Sequence, residues 1–181
     1  TSDSLKLALQ GIDKFIENGG RMQLVASPYL EKKDIVAIEQ GYVKREAAIK
    51  LAIEGQIPSK DELREADKDQ WQSLAWMIHN NILDIKIATP SRSTKFGLYH
   101  EKIGLFSDED RNTIAFTGSG NETAGGLLNN FESFDVFKSW KDPSRVNRKS
   151  INFENLWEDN TVKLKVIPFS DAAKDKILQH R

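Results

Sequence analysis

The chain has no cysteine, which removes disulfides, thiolate zinc sites and a cysteine nucleophile together. Histidine is nearly as scarce. His79, His100 and His180 are the three, too scattered to form a recognisable ligand pair. Carboxylates remain as a route to magnesium, but neither a metal nor any other cofactor is expected. No apolar run approaches the roughly 20 residues of a membrane span, and no charged-then-apolar leader opens the chain. A cytoplasmic protein without a membrane partner is the expectation. Neither sign of charge dominates, since 26 basic and 27 acidic residues leave a formal net charge of -1. An anionic ligand must therefore be held by a local patch.

What is present suffices for one sizeable core: 181 residues, 39% of them hydrophobic, predict a single domain over 1–181. The start at Thr1-Ser2-Asp3, directly ahead of a helical pattern, suggests a fragment of something longer. Helical spacing of Leu5, Leu9, Ile12 and Ile16 predicts a helix from Asp3 to Asn18 stopped by Gly19-Gly20. A strand from Arg21 to Ser27 follows, ended by Pro28. Two helical pieces come next, Asp34 to Gln40 and Val43 to Glu54. Ser59, with Glu62 three residues on, reads as a capping box opening a helix to Asn80, and the acids on its early turns read as a solvated face. Leu83 to Ala88 is a second strand closed by Pro90. Later come a strand from Phe134 to Trp140, a helix from Pro143 to about Asn160, a strand from Thr161 to Pro168 and a helix from Asp171 to Arg181. Helix and strand alternate, so the class is α/β. His79 reads as structural and His180 as a frayed terminus.

The functional interest concentrates in Tyr99 to Trp140. A strand with Tyr99, Glu101, Ile103 and Leu105 on one face carries His100, Lys102, Gly104 and Phe106 on the other. His100 and Lys102 then point the same way. A second strand, Asn112 to Thr117, runs into Gly118-Ser119-Gly120, which delivers Ser119 and Asn121 beside them. Arg92 and Lys95, in the polar loop just ahead, are candidate phosphate-binding cations. So is Lys138, which opens a basic run with Lys141, Arg145, Arg148 and Lys149.

The series His100-x-Lys102, Asp108, Gly118-Ser119-x-Asn121 and Glu132 resembles the HKD motif of the phospholipase D superfamily. The text around it (Ser27-Pro28, Leu74-Ala75-Trp76, Tyr99-His100-Glu101-Lys102, Gly118 to Thr123, Asn130-Phe131-Glu132-Ser133) resembles the phospholipase D-like domain attached to superfamily II helicases of the DEAD/DEAH, restriction or repair type. The resemblance implies a phospholipase D-like mixed β-sheet flanked by helices on both faces. It also implies a metal-independent phosphodiesterase or nuclease module acting on DNA, with the helicase domains of a parent chain as partners. A non-catalytic module that binds the DNA phosphate backbone is the alternative. Two departures stand out. The family's spacing puts its supporting aspartate at Ser107, whereas here it falls at Asp108. The family also builds its site from two motifs and this chain has one, so the resemblance implies a homodimer that completes a two-histidine site.

The chemistry asks for the same residues. Phosphodiester cleavage needs a nucleophile, charge stabilisation on the non-bridging oxygens and a proton for the leaving oxygen. Neutral imidazole at His100 attacks phosphorus if Glu132 orients its other nitrogen. Lys102, Ser119 and Asn121 hold the oxygens, while the resemblance alone implies a supporting role for Asp108.

Overall fold

The computed structural model describes residues 11, 14–28, 44–90, 99, 101–118 and 133–181. The helical residues 14–17 end as the two glycines require. Gly19 takes φ +75°, a left-handed conformation that glycine adopts without penalty. Its amide and that of Gly20 return to the carbonyls of Ile16 and Phe15.

The first sheet holds β1 (Met22–Ala26), β2 (Leu83–Pro90) and β6 (Leu164–Pro168) in the order β1-β2-β6. β1 runs parallel to β2, with Met22 opposite Leu83 and Ala26 opposite Ile87. Parallel neighbours need a crossover. The chain between them includes α1 (Arg45–Gln56) and α2 (Lys68–His79). β6 closes the other side antiparallel, with Ile87 opposite Ile167 and Ala88 opposite Val166.

Alternation along β2 divides the packing between the two faces of this sheet. Leu83, Ile85 and Ile87, with Ile167 of β6, join Ile49 and Ile57, Ala75 and Met77 of α2, and Ala173 and Ile177 in one buried cluster. Ile49 lies in α1, while Ala173 and Ile177 lie in the last helix, α4 (Asp171–Leu178). Ala88 and Val166 face the other way and pack with Leu156 of α3 (Pro143–Trp157). Lys86, on that same side, sends its Nζ to the Trp157 carbonyl at 2.8 Å and lies over the Trp157 ring. The expected α/β class, with helices on both faces of a mixed sheet, is what forms.

The remaining strands make a second, antiparallel sheet: β3 (Ile103–Ser107), β4 (Thr113–Gly118) and β5 (Phe134–Lys138), in that order. α3 also packs on all three of these strands. Arg145, in its first turns, stacks its guanidinium on the Phe137 ring at 5.1 Å. One helix thereby holds the meander to β6.

Three local expectations are corrected. The helix expected from Ser59 begins at Lys68, preceded by a single 3₁₀ turn at Glu65–Asp67. The Ser59 hydroxyl and amide both donate to the Glu62 carboxylate, each at 2.9 Å. That leaves the hydroxyl closing a turn rather than capping a helical N–H. These bonds, the backbone one foremost, hold the Glu62 carboxyl below its usual range. The strand expected from Tyr99 begins at Ile103 instead, because the Tyr99 ring turns in against the Ala88, Leu156 and Val166 cluster. His180 is only 4% exposed, not frayed. Its ring tilts against Trp71, and its Nε2 meets the Pro58 carbonyl at 2.8 Å, which makes that nitrogen the protonated donor. The expected helix Asp34 to Gln40 lies outside the described residues.

Candidate phosphodiester site

Strand register decides which sequence positions can meet. Ile103 lies opposite Thr117, and Gly118 lies opposite Phe134. One residue further back, Lys102 stands beside Gly118, and its carbonyl accepts a 2.9 Å bond from the Thr117 hydroxyl. The start of β3, the end of β4 and the start of β5 therefore share one end of the meander. The segments attached there are those that carry His100 and Lys102, then Ser119 and Asn121, then Glu132. His100, Ser119, Asn121 and Glu132 themselves lie outside the described residues, as do Arg92 and Lys95. Lys102 is half-buried at this end.

Tyr99 ties this end to the first sheet. Its ring packs beside Ala88 near the carboxyl end of β2, in the cluster that also takes in Val25 of β1. The carboxyl ends of parallel strands are where open α/β sheets place ligands. Burial, and then Glu101, pushes the Tyr99 hydroxyl well above its ordinary pKa, and the hydroxyl donates a 3.4 Å bond to the Glu101 carboxylate. Tyr99 thus enters as a neutral spacer immediately before His100. Sequence reasoning passed over it as one more strand residue. Its signal was a large aromatic directly beside the motif histidine.

Two selected residues sit elsewhere. Asp108 occupies the β3–β4 turn at the opposite end of the meander, beyond the Ser107–Thr113 pair. Its two oxygens accept the Asn112 amide at 2.8 Å and the Asn112 side-chain N–H at 3.0 Å. Those bonds, the side-chain one first, hold its carboxyl low. Arg111 completes the turn with φ 65°. The structure gives Asp108 a turn-forming role and does not bring it to Lys102. Ser107, where the motif spacing puts the supporting aspartate, instead shares a 2.8 Å hydroxyl bond with Thr113. Lys138 pairs with Ile114, also at the far end, about 13 Å of strand from the Gly118 row. It is exposed, with its ammonium 5.9 Å from the Trp140 ring centre.

Among the described residues no three histidine, aspartate or glutamate side chains group as a metal site, and no helix is long and apolar enough to cross a membrane.

A family model described as "Cardiolipin synthase, PLD-like domain" matches residues 12–157. The chain belongs to the phospholipase D-like family. The match takes in β1 to β5 and ends with α3, leaving β6 and α4 beyond it, so the meander and the parallel pair β1/β2 both fall within the phospholipase D-like unit. The family's superfamily function is phosphodiester chemistry of the phosphodiesterase and nuclease type. Phospholipase D-like domains often dimerise around a shared active site. No curated protein and no solved structure matches the chain.

Proposed function

We propose that the chain is a metal-independent phosphodiesterase acting on DNA, serving as the nuclease module of a helicase or of a restriction or repair protein. The observation that carries this reading is the meander register. It attaches the His100-Lys102, Ser119-Asn121 and Glu132 segments to one sheet end, in a chain of the phospholipase D-like family. A neutral imidazole nitrogen of His100 attacks phosphorus, a P–N bond forms and the P–O bond to the leaving strand breaks. The leaving oxygen takes a proton from the His100 of a second copy, and that imidazole then accepts a proton from the water that hydrolyses the P–N bond. Lys102, Ser119 and Asn121 stabilise the non-bridging oxygens, Glu132 orients the nucleophile, and Arg92 and Lys95 extend the grip on phosphate. Two copies related by a twofold axis complete the pair of histidines.

The test is cleavage of labelled DNA in the presence of a chelator, with phospholipid vesicles as a parallel substrate. His100→Ala is expected to lower turnover by at least about a thousandfold, and native mass spectrometry should give a dimer. Turnover that survives His100→Ala, or that needs added magnesium, would overturn the mechanism. Turnover of vesicles but not of DNA would overturn the substrate. The single His-Lys motif favours a second reading, a module that binds the DNA phosphate backbone without cutting. Salt-dependent DNA binding by an inert wild-type protein would decide for it.

A further inference from the structure

Ile103 and Thr117 form the last pair of the β3–β4 ladder, and the Thr117 hydroxyl reaches one residue beyond it. It donates to the Lys102 carbonyl at 2.9 Å, and both residues are half-buried. Directly paired residues of an antiparallel sheet share a face, and faces alternate along a strand. Thr117 therefore lies on the face of Leu105, the fully buried Ala115 and Phe137, whose ring sits beneath Arg145 of α3.

Valine, with nearly the same shape, would fill this covered strand position as threonine does. What threonine adds is a donor, and the Lys102 carbonyl has lone pairs to receive it. The bond joins two of the segments that meet at this end of the meander. Lys102 stands just ahead of β3, and two residues past Thr117 the chain reaches Ser119. The direction in which a side chain leaves its Cα follows from the peptide planes on either side, and a bond to the Lys102 carbonyl fixes the plane that follows it. The donor is itself held, because χ1 is stiff in a β-branched residue. A comparable cross-strand hydroxyl bond lies far from that end. Thr113, on the same strand and face as Thr117, shares a 2.8 Å bond with Ser107, about 13 Å of strand away.

We infer that Thr117 is a positioning residue of the phosphodiester site, its hydroxyl setting the main chain from which Lys102 reaches the phosphate and tying it to the strand that leads to Ser119. The inference rests on the reading above in which Lys102 holds the non-bridging oxygens. It adds a residue that touches no substrate and acts through one that does. A shift of about 1 Å in such a group costs up to about a hundredfold in rate, so a single bond at its base is enough to matter.

The experiment is steady-state cleavage of labelled DNA in chelator by the full chain, with the dissociation constant of the same DNA measured alongside. Thr117→Val should lower kcat/KM about tenfold. Thr117→Ser, which keeps the donor, should stay within about threefold of the wild type. Thr113→Val removes the equivalent hydroxyl bond at the far end and should leave kcat/KM unchanged. On a Lys102→Ala background Thr117→Val should cost nothing further, whereas a folding defect would cost the same on either background. Where Lys102→Ala abolishes turnover, the dissociation constant carries that comparison. Circular dichroism confirms that each variant is folded. The assignment is overturned if Thr117→Val matches the wild type, if Thr113→Val falls with it, if Thr117→Ser is as impaired as Thr117→Val, or if the loss on Lys102→Ala is as large as on the wild type. Undiminished cleavage by His100→Ala would instead count against the proposed mechanism alone. If the wild type binds DNA without cutting it, the catalytic reading fails and the same comparisons are decided by the dissociation constant; a wild type that neither cuts nor binds overturns both.

Discussion

The two sheets are built to opposite specifications. In β1-β2-β6, one strand is covered on both faces, and the isoleucines of β2 and β6 anchor a cluster reaching into three helices. In β3-β4-β5, Ala115 alone among the described residues is fully buried, while Phe106 and Val136 stand open. Burying apolar area is the main stabilising term in folding, so the first sheet carries stability. The second spends apolar side chains on a surface that faces outward, and its end is where the motif segments attach. Stability rests on the first sheet, and the site proposed above is attached to the end of the second.

The sharpest way to break this division is Ile49→Ala, at a site only 2% exposed. It should cost about 3–4 kcal/mol by urea denaturation, and a loss below about 1 kcal/mol would show that the first cluster is not the stabilising core. Next in size is Gly104→Val, which forces off the sheet the Phe116 ring that lies where any side chain at 104 would begin, and should cost about 1–3 kcal/mol. If the two sheets are separable, the α1–α4 contacts persist by NMR in this variant. Ser170→Ala tests the stable half more gently. The Ser170 hydroxyl accepts the Ala173 amide at the start of α4 and donates to Glu54 of α1, so about 1 kcal/mol should be lost.

The smallest effect concerns the Asp159–Lys165 pair beside β6, in which Asp159 also accepts the Val166 amide at 2.6 Å. Lys165, foremost, holds the Asp159 carboxyl below its ordinary value, and Asp159 raises the Lys165 ammonium above its own. A lowered carboxyl stabilises above its unfolded pKa, and that contribution is lost as pH falls through the folded value. A raised ammonium stabilises below its unfolded pKa and is lost as pH climbs through the folded one. The pair therefore stabilises between about pH 4 and about pH 10 and fades outside that window. Both side chains are largely in water, which screens the pair and keeps its contribution the smallest of these effects. Asp159→Asn keeps a residue that tolerates the φ of 59° there and should flatten both flanks of a stability–pH curve. Unchanged flanks would assign them to other groups.

Much of this arrangement was legible in the sequence because it rests on local rules. The Gly19 stop, the alternation of β2 and the spacing of the last two helices each depend on nearby residues alone. The departures have two causes, a competing hydrogen bond close by in sequence and a tertiary partner that overrode a local preference. Ser59 and Glu62 have the spacing of a capping box, yet the hydroxyl bonds the carboxylate and the helix waits until Lys68. Tyr99 fits a strand pattern, yet a hydrophobic cluster assembled from β2, β6 and α3 draws it in. His180 looks like a loose end until Trp71 and Pro58, more than a hundred residues away, enclose it. Asp108 was matched to the motif by residue type, and its bonds to Asn112 place it in the β3–β4 turn. The motif segments at one meander end follow from strand pairing, which the sequence indicated by placing them next to strand ends.

The position of α3 has a further consequence. A helix that touches the meander and β6 at once is a mechanical joint, through which any tightening of the exposed sheet reaches the buried one. Amide protons measure that transmission directly. Those of β2 and β6 should exchange only with global unfolding, and those of β3 and β5 sooner, through local opening. A change that loosens the meander, such as Gly104→Val, should then speed exchange in α3 before it does so in β2 and β6.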